Sequence, residues 1–154
     1  MSLSTLPLSY CTNVHPGMTV AEVVLGLTEY TAPTQAQLEA PIAAGLWLAQ
    51  PVIAELLADR QQIDVLRDTL GVNSLVCYTL NAFPFGNFHS TRVKEQVYVP
   101  DWTAPARLDY TRDCASVLAE LMPEGVEGSI STVPLGFKQM PHEDDFTERC
   151  IDQL

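Results

Sequence analysis

The stretch Leu75-Val-Cys-Tyr-Thr-Leu-Asn-Ala-Phe83 is the most continuous apolar run in the chain. Its length suits one strand, and a helical pattern stands on each side of it, at 59–70 and at 105–122. Apolar strands that alternate with amphipathic helices are typical of a parallel sheet, because each helix makes the crossover to the next strand. The stretch therefore predicts one strand of a parallel α/β sheet.

The same strand–helix unit occurs four times along the 154 residues. Thr19 and Glu22 have the spacing of a capping box, which predicts the start of the first helix. Pro51 suits the first turn of the second helix, and Gly71 is placed to end it in a left-handed conformation. The segment 31–44 contains two prolines and is predicted to be a loop with a short helical turn at most. The predicted strands are 6–13, 45–49, 75–83 and 128–133, and the last helices are 105–122 and 144–154.

Two architectures fit alternating strands and helices. A doubly wound sheet normally carries a glycine-rich phosphate loop after its first strand, but the loop here is Asn13-Val-His-Pro-Gly17. A parallel (β/α) barrel of TIM type has no such requirement and takes about 250 residues. We therefore predict an α/β fold of about four βα units, with residues 1–154 forming a single domain that is the amino-terminal half of a barrel. The final helix has no stop signal before Leu154, so we expect the chain to continue in the intact protein.

The charge and hydropathy of the chain exclude several classes of function. Eight Lys and Arg against nineteen Asp and Glu give a net charge of −11, which argues against nucleic-acid binding. No apolar run approaches the roughly 20 residues of a membrane span, and the first residues do not resemble a secretory signal. We expect a cytoplasmic protein with a small-molecule partner.

The cysteines and histidines do not have the spacing of a metal site. Cys11, Cys77, Cys114 and Cys150 form no CxxC pair, and we predict that all four are small core residues. No HExxH pattern is present, and neither His15 nor His89 has a second ligand at helical spacing. We therefore predict no metal site and no cofactor in this chain.

Polar residues follow the predicted strands, and the carboxyl ends of parallel strands meet at the edge where such folds bind ligands. His15 follows the first strand, and His89 lies in the long connection after the third. We predict these two as the catalytic residues, either of which can act as a base. The predicted substrate-binding residues are Asn13, Asn81, Phe85, Arg92, Lys94 and Trp102. Two structural alternatives stay open: His15 bonded to the backbone at its turn, and aromatic side chains that only fix the connection to the sheet.

Four segments resemble a known family. They are Ser9-Tyr-Cys-Thr-Asn-Val-His-Pro-Gly17, Thr79-Leu-Asn-Ala-Phe-Pro-Phe-Gly-Asn-Phe-His89, Arg92-Val-Lys-Glu-Gln-Val-Tyr-Val-Pro-Asp-Trp102 and Gly125-Val-Glu-Gly-Ser-Ile-Ser-Thr-Val-Pro-Leu135. They are similar to EboE-type proteins of the xylose isomerase-like TIM-barrel superfamily. The resemblance implies a longer cytoplasmic barrel linked to the traffic of secondary-metabolite precursors. It also implies a divalent metal held by later strands, which would leave this chain inactive alone.

These observations lead to one main functional hypothesis and two rivals. The main one is an isomerase- or epimerase-like barrel that acts on a small polyol, sugar or related metabolite. The first rival is a non-catalytic carrier or scaffold that uses the same pocket. The second, phosphodiester cleavage, is disfavoured by the charge. Because a half-barrel has two unpaired edges and one uncovered face, we also expect a homo-oligomer.

Overall fold

Four parallel strands form one sheet in a computed structural model that describes residues 7–38, 40–87, 89 and 95–154. The strands lie side by side in chain order, and each pairs in parallel with the next. The predicted parallel α/β fold with four strands is therefore confirmed. The strands are β1 (Leu8–Cys11), β2 (Ile42–Trp47), β3 (Val76–Asn81) and β4 (Ser129–Ser131).

Helices make the crossovers between these strands. The capping box at Thr19 is present, because the side chain of Thr19 accepts from the backbone N–H of Glu22 at 3.2 Å. The carboxylate of Glu22 reaches one residue further back and accepts from the N–H of Met18 at 2.7 Å. The helices are α1 (Val20–Gly26), α2 (Ala32–Ala36), α3 (Gln50–Ala58), α4 (Arg60–Val72), α5 (Pro105–Leu121) and α6 (Phe146–Gln153).

The segment 31–44, predicted to be a loop with a short helical turn at most, contains a short helix, α2, but it also contains the first residues of β2, which the prediction missed. A π-helical turn, Leu27–Thr31, joins α1 to α2 without a break. The turn lies just before Pro33, whose ring has no N–H to donate and would clash with the carbonyl four residues earlier in a regular helix. A wider turn relieves that clash. The second strand also begins earlier than predicted, at Ile42.

The end of α4 differs from the prediction as well. Gly71 remains helical, and Ser74 takes the left-handed conformation instead, with φ of 55°. The N–H groups of Leu75 and Ser74 bond to the carbonyls of Leu70 and Gly71 at 2.9 and 3.0 Å, which is a Schellman ending. The buried residues of α4 extend as far as Leu70, next to Gly71, so the helix still packs on the core at this point.

One face of the sheet packs against the helices. The strand residues on this face include Ala44, Leu46 and Leu80, which are fully buried. They form one apolar cluster with side chains of α1, α3, α4 and α5. A second, smaller cluster of Trp102, Val133 and Cys150 lies beyond the carboxyl end of β4. Burial of this kind stabilises a fold by about 25 cal/mol per Å² of apolar area.

The opposite face of the sheet is small and polar. Strand pairing places the residues of this face opposite one another, because paired residues of parallel strands point to the same side. Gly45 lies at its centre, and Ser9, Cys11, Thr79, Ser129 and Ser131 surround it. Most of these polar side chains are exposed or half-buried. We call this surface the polar face.

Three of the four cysteines are buried as predicted, but the prediction for Cys11 was wrong. Cys11 lies on the polar face of the edge strand β1, where no neighbouring strand on its outer side covers it. Burial raises the pKa of the Cys77 thiol to about 11 and that of Cys114 to about 12, so both stay protonated at neutral pH. Among the helices the structure describes, none has the length and apolar character to cross a membrane.

Candidate functional site

His15 lies at the carboxyl end of β1 and contacts two tyrosine rings. The ring centroid of Tyr30 is 4.2 Å from that of His15, and the ring centroid of Tyr10 is 5.9 Å away on a nearly parallel plane. The Tyr10 hydroxyl lies 2.7 Å from Nε2 of His15. Tyr10 comes from β1 and Tyr30 from the π-helical turn. The imidazole is therefore held by two separate elements.

The bond to Tyr10 decides which part of His15 remains for a ligand. The ring of Tyr30 stacks on the imidazole, and Nε2 has the hydroxyl of Tyr10 as its partner. The structure therefore leaves the Nδ1 edge of the ring as the part that can meet a reacting group. The alternative in which the ring of His15 bonds to the backbone at its turn is not seen, because its hydrogen bond goes to the Tyr10 side chain.

Trp47 ends β2 and connects His15 to His89. Its ring centroid lies 5.9 Å from that of His89, with the two planes at 57°. Its backbone N–H donates to Oγ1 of Thr12 at 2.9 Å, which ties the end of β2 to the turn before His15. The predicted catalytic residues His15 and His89 thus lie at the same edge of the sheet, with Trp47 between them.

The pKa of His15 is lower than its ordinary value of 6.5. Partial burial is the main cause, since it disfavours the charged imidazolium, and the nearby His89 acts in the same direction. His15 is therefore mainly neutral at pH 7. A neutral imidazole can accept a proton, as a general base must.

The connection after β3 is anchored to the end of β2. Nε1 of Trp47 donates to the carbonyl of Pro84 at 2.9 Å, and the N–H of Gln50 donates to the carbonyl of Phe85 at 2.8 Å. The Tyr110 hydroxyl donates to the carbonyl of Leu48 at 2.7 Å. These bonds fix residues 84 and 85, and so they constrain where the chain goes on towards His89.

The space at this edge is shallow. The crevice between His15 and Trp47 offers about 10 Å³, enough for roughly one water molecule. A wider cavity of about 160 Å³ opens beside Phe85, between 84–87 and 96–99. Ligand pockets are typically about 300–1,000 Å³. The described residues therefore supply one wall of a site for a small molecule rather than an enclosed pocket.

Asn13 and Asn81 lie at the ends of their strands, as the sequence predicts. The side-chain oxygen of Asn13 accepts from Sγ of Cys11 at 2.9 Å. That of Asn81 accepts from the N–H of Phe83 at 3.0 Å and from the hydroxyl of Ser131 at 3.1 Å. Both amides thus continue the polar face towards the histidines. Their role in binding a ligand stays a prediction.

The remaining predicted binding residues have different positions. Phe85 packs edge-on against Tyr110, with ring centroids 5.0 Å apart, and also lines the wider cavity. Trp102 is buried in the second cluster, and its Nε1 donates to the carbonyl of Val133 at 3.0 Å. Arg92 and Lys94 lie outside the described residues. The structure thus brings His15, His89, Asn13 and Asn81 to one edge, and Trp102 to a separate apolar cluster.

Three residues of this edge were not predicted from the sequence: Tyr10, Tyr30 and Trp47. Trp47 was missed because it lies inside a wholly apolar run, which predicts a buried core residue. Tyr30 was missed because the segment that follows it was predicted to be a loop. Tyr30 lies about one helical turn after Leu27, and this spacing could have predicted that the helix continues to Tyr30.

The described residues contain no group of three or more His, Cys, Asp and Glu side chains that could hold a metal ion. Comparisons with protein-family models, with curated proteins and with solved structures give no match. The fold and the geometry of the carboxyl edge are therefore what the functional proposal rests on.

Proposed function

We propose that the carboxyl edge of the sheet, with the polar face below it, binds a small, polar, hydroxyl-bearing metabolite such as a sugar or polyol. The observation that carries the proposal is the convergence of His15 at the end of β1, Trp47 at the end of β2 and His89 in the connection after β3. The side chain of Trp47 is only 2% exposed, so it supports His89 and offers no open face for stacking, whereas the two imidazoles supply hydrogen bonds of the kind that a sugar needs. The hydroxyl and amide groups of the polar face supply further hydrogen bonds.

We also propose that the sheet is half of a TIM-type barrel. Its four strands run parallel in chain order, as in such a barrel. A Cβ placed on Gly45 would meet Oγ of Ser9 on one side and lie 3.4 Å from Cγ2 of Thr79 on the other. Neighbouring strands are about 4.8 Å apart, so side chains that converge in this way support a concave surface. A closed barrel would put the polar face inside, as a hydrated site in place of the usual packed aliphatic layers.

The chemistry that this edge supports best is proton transfer of the isomerase or epimerase type. Isomerisation of a sugar moves a proton between neighbouring atoms, and a neutral imidazole can take it. In this proposal Nε2–H of His15 donates to the hydroxyl oxygen of Tyr10, which leaves Nδ1 unprotonated and able to accept the proton. Asn13 and Asn81 bind hydroxyl groups. The resemblance to EboE-type proteins supports the same class of ligand.

The metal that the resemblance implies does not fit the described residues. Superfamily sites need several carboxylate and histidine ligands together, and the described part of the chain groups no such set. We therefore assign no step to a metal in this chain.

A carrier or scaffold that binds the same metabolite without turnover is the second candidate. The bond between Tyr10 and Nε2 of His15 favours it, because a histidine with one nitrogen already engaged and a tyrosine stacked on its ring is well suited to fixed recognition. The two candidates make the same prediction for binding and differ only in turnover.

The test is a ligand screen of the protein by thermal shift, with aldopentoses, aldohexoses, their ketose isomers, linear polyols and the phosphate esters of each. We expect at least one of these compounds to raise Tm and the variant His15→Asn to abolish that shift. His142→Asn is the matched control, because His142 contacts Phe137 and Phe146, away from this edge. No shift with any compound, or an equal loss in both variants, would contradict the proposal. Proton exchange of the bound compound with deuterated solvent then separates isomerase from carrier.

A further inference from the structure

Arg107 is the one fully buried charged side chain among the described residues. It lies in the first turn of α5 and makes no ion pair with a described carboxylate within 4.0 Å. Removal of a guanidinium from water costs several kcal/mol unless its donors are satisfied. The hydrogen bonds of Arg107 therefore show which groups compensate for the burial of its charge.

Two of those bonds reach the two ends of the connection between β3 and α5. Nη1 donates to the carbonyl of Ala82, the first residue after β3, at 2.6 Å. Nε donates to the carbonyl of Pro100, shortly before α5, at 2.8 Å. One side chain thus bridges carbonyls that are 18 residues apart in the sequence.

Aromatic rings hold the guanidinium in this position. Its central carbon lies 5.6 Å from the ring centroid of Phe85 and 5.6 Å from that of Tyr110. Contacts of this kind are attractive, because the face of an aromatic ring carries negative charge density. The third nitrogen, Nη2, has no acceptor among the described residues, so the carbonyls of Ala82 and Pro100 carry the hydrogen bonding.

We propose that Arg107 is a positioning residue that closes the β3–α5 connection and thereby sets His89 at the carboxyl edge. His89 lies between the two bridged carbonyls in the sequence and contacts Trp47. The bridge fixes both ends of the connection before any ligand arrives, which lowers the entropic cost of binding. The effect on ligand affinity rests on the proposed function, whereas the closure itself does not.

The geometry requires arginine rather than lysine. The two acceptors bond to different nitrogens of a planar fork, whereas the ammonium of lysine is a single compact donor. The planar group also lies against both rings. Arg107→Lys keeps the charge and approximate length of the side chain but removes this fork.

The test is backbone amide exchange in Arg107→Lys, measured residue by residue. We expect the amides of Ala82, Phe83, Tyr98 and Val99 to exchange at least about tenfold faster than in the wild type. The amides of Leu46 in β2 and Leu66 in α4 should be unchanged. Arg67→Lys is the matched control, because Arg67 also donates to a backbone carbonyl, that of Glu120, on the far side of the helices. It should leave those four amides unaffected.

Unchanged exchange at these amides in Arg107→Lys, or an equal increase across β2 and α4, would overturn the proposal. If Arg107→Lys does not fold, amide exchange of the wild type tests the closure instead. In low denaturant, the pair Ala82/Phe83 and the pair Tyr98/Val99 should open with the same free energy, and different values would overturn the closure. Neither measurement uses a ligand. A failed ligand screen would therefore remove the proposed function and leave the closure standing.

Discussion

The hydroxyl of Tyr10 lies 2.7 Å from Nε2 of His15, so a strand residue of the helix-packed face reaches the site at the end of its own strand. His15 comes five positions after Tyr10 in the sequence. The turn Thr12–Val14 brings the chain back over Tyr10. This hydroxyl can donate to Nε2 or accept from it, so the bond influences which nitrogen of His15 carries the proton. Tyr10→Phe keeps the ring and removes the hydroxyl.

We expect Tyr10→Phe to shift the tautomer balance of His15. The ¹⁵N chemical shifts of Nδ1 and Nε2 report this balance directly. A change in both shifts with little change in Tm is the predicted result. Identical shifts in the variant and the wild type would show that the bond does not hold the imidazole.

The lowered pKa of His15 predicts a pH dependence of stability. A histidine with a folded-state pKa below its unfolded value binds fewer protons when folded, so the free energy of unfolding decreases as pH falls below about 6.5. His15→Asn should remove part of this decrease, and His142→Asn is the control at a distance. The measurement is urea unfolding at intervals from pH 7.5 to pH 5. A larger decrease in His15→Asn than in the wild type would contradict the prediction.

Gly45 and Gly71 form a matched pair for testing the concave face. A Cβ on Gly45 would meet Ser9 and would lie 3.3 Å from the carbonyl of Tyr10, whereas one on Gly71 meets nothing within 4 Å. We expect Gly45→Ala to lower the free energy of unfolding by about 1–3 kcal/mol through overpacking. Gly71→Ala should raise it by up to about 1 kcal/mol, because glycine is unfavourable in a helix. The same sign for both would contradict a crowded, concave face.

The two tryptophans separate the carboxyl edge from the second cluster. Trp47 contacts His89 at the edge, whereas Trp102 lies in the second cluster, and both side chains are buried. With a compound that raises Tm, the variant Trp102→Phe should keep the ligand-induced change in fluorescence, and Trp47→Phe should lose it. The reverse result would support Trp102 as the binding residue.

The free edges of β1 and β4 predict self-association. Of the two reasons that the sequence suggested, the uncovered face carries little weight, because the polar face has little apolar area to cover. Unpaired backbone groups on both edge strands remain, and they can pair with another chain. Light scattering coupled to size exclusion should show a dimer or larger oligomer at micromolar concentration. A well-folded monomer would count against the half-barrel.

The sequence predicted the fold better than the details of the site. The strand–helix alternation correctly predicted the parallel sheet, because apolar periodicity reflects burial directly. The π-helical turn was missed because it depends on how Pro33 fits against the preceding turn, which periodicity does not report. Tyr30 and Trp47 were missed for the same reason: their importance comes from the rings they contact. The position of Asn81 at a strand end was predicted, because the alternation of strands and helices indicates where a strand ends.

The most direct test of the central proposal is NMR mapping of a bound compound. The two-dimensional spectrum of ¹⁵N-labelled protein is recorded during titration with the compound that gives the largest rise in Tm. We predict the largest shift changes at the imidazole of His15, the indole of Trp47 and the side-chain amides of Asn13 and Asn81. The backbone of α3 and α4 should be unaffected. Shift changes confined to those helices or to the cluster around Trp102, with none at His15 and Trp47, would contradict a metabolite site at the carboxyl edge.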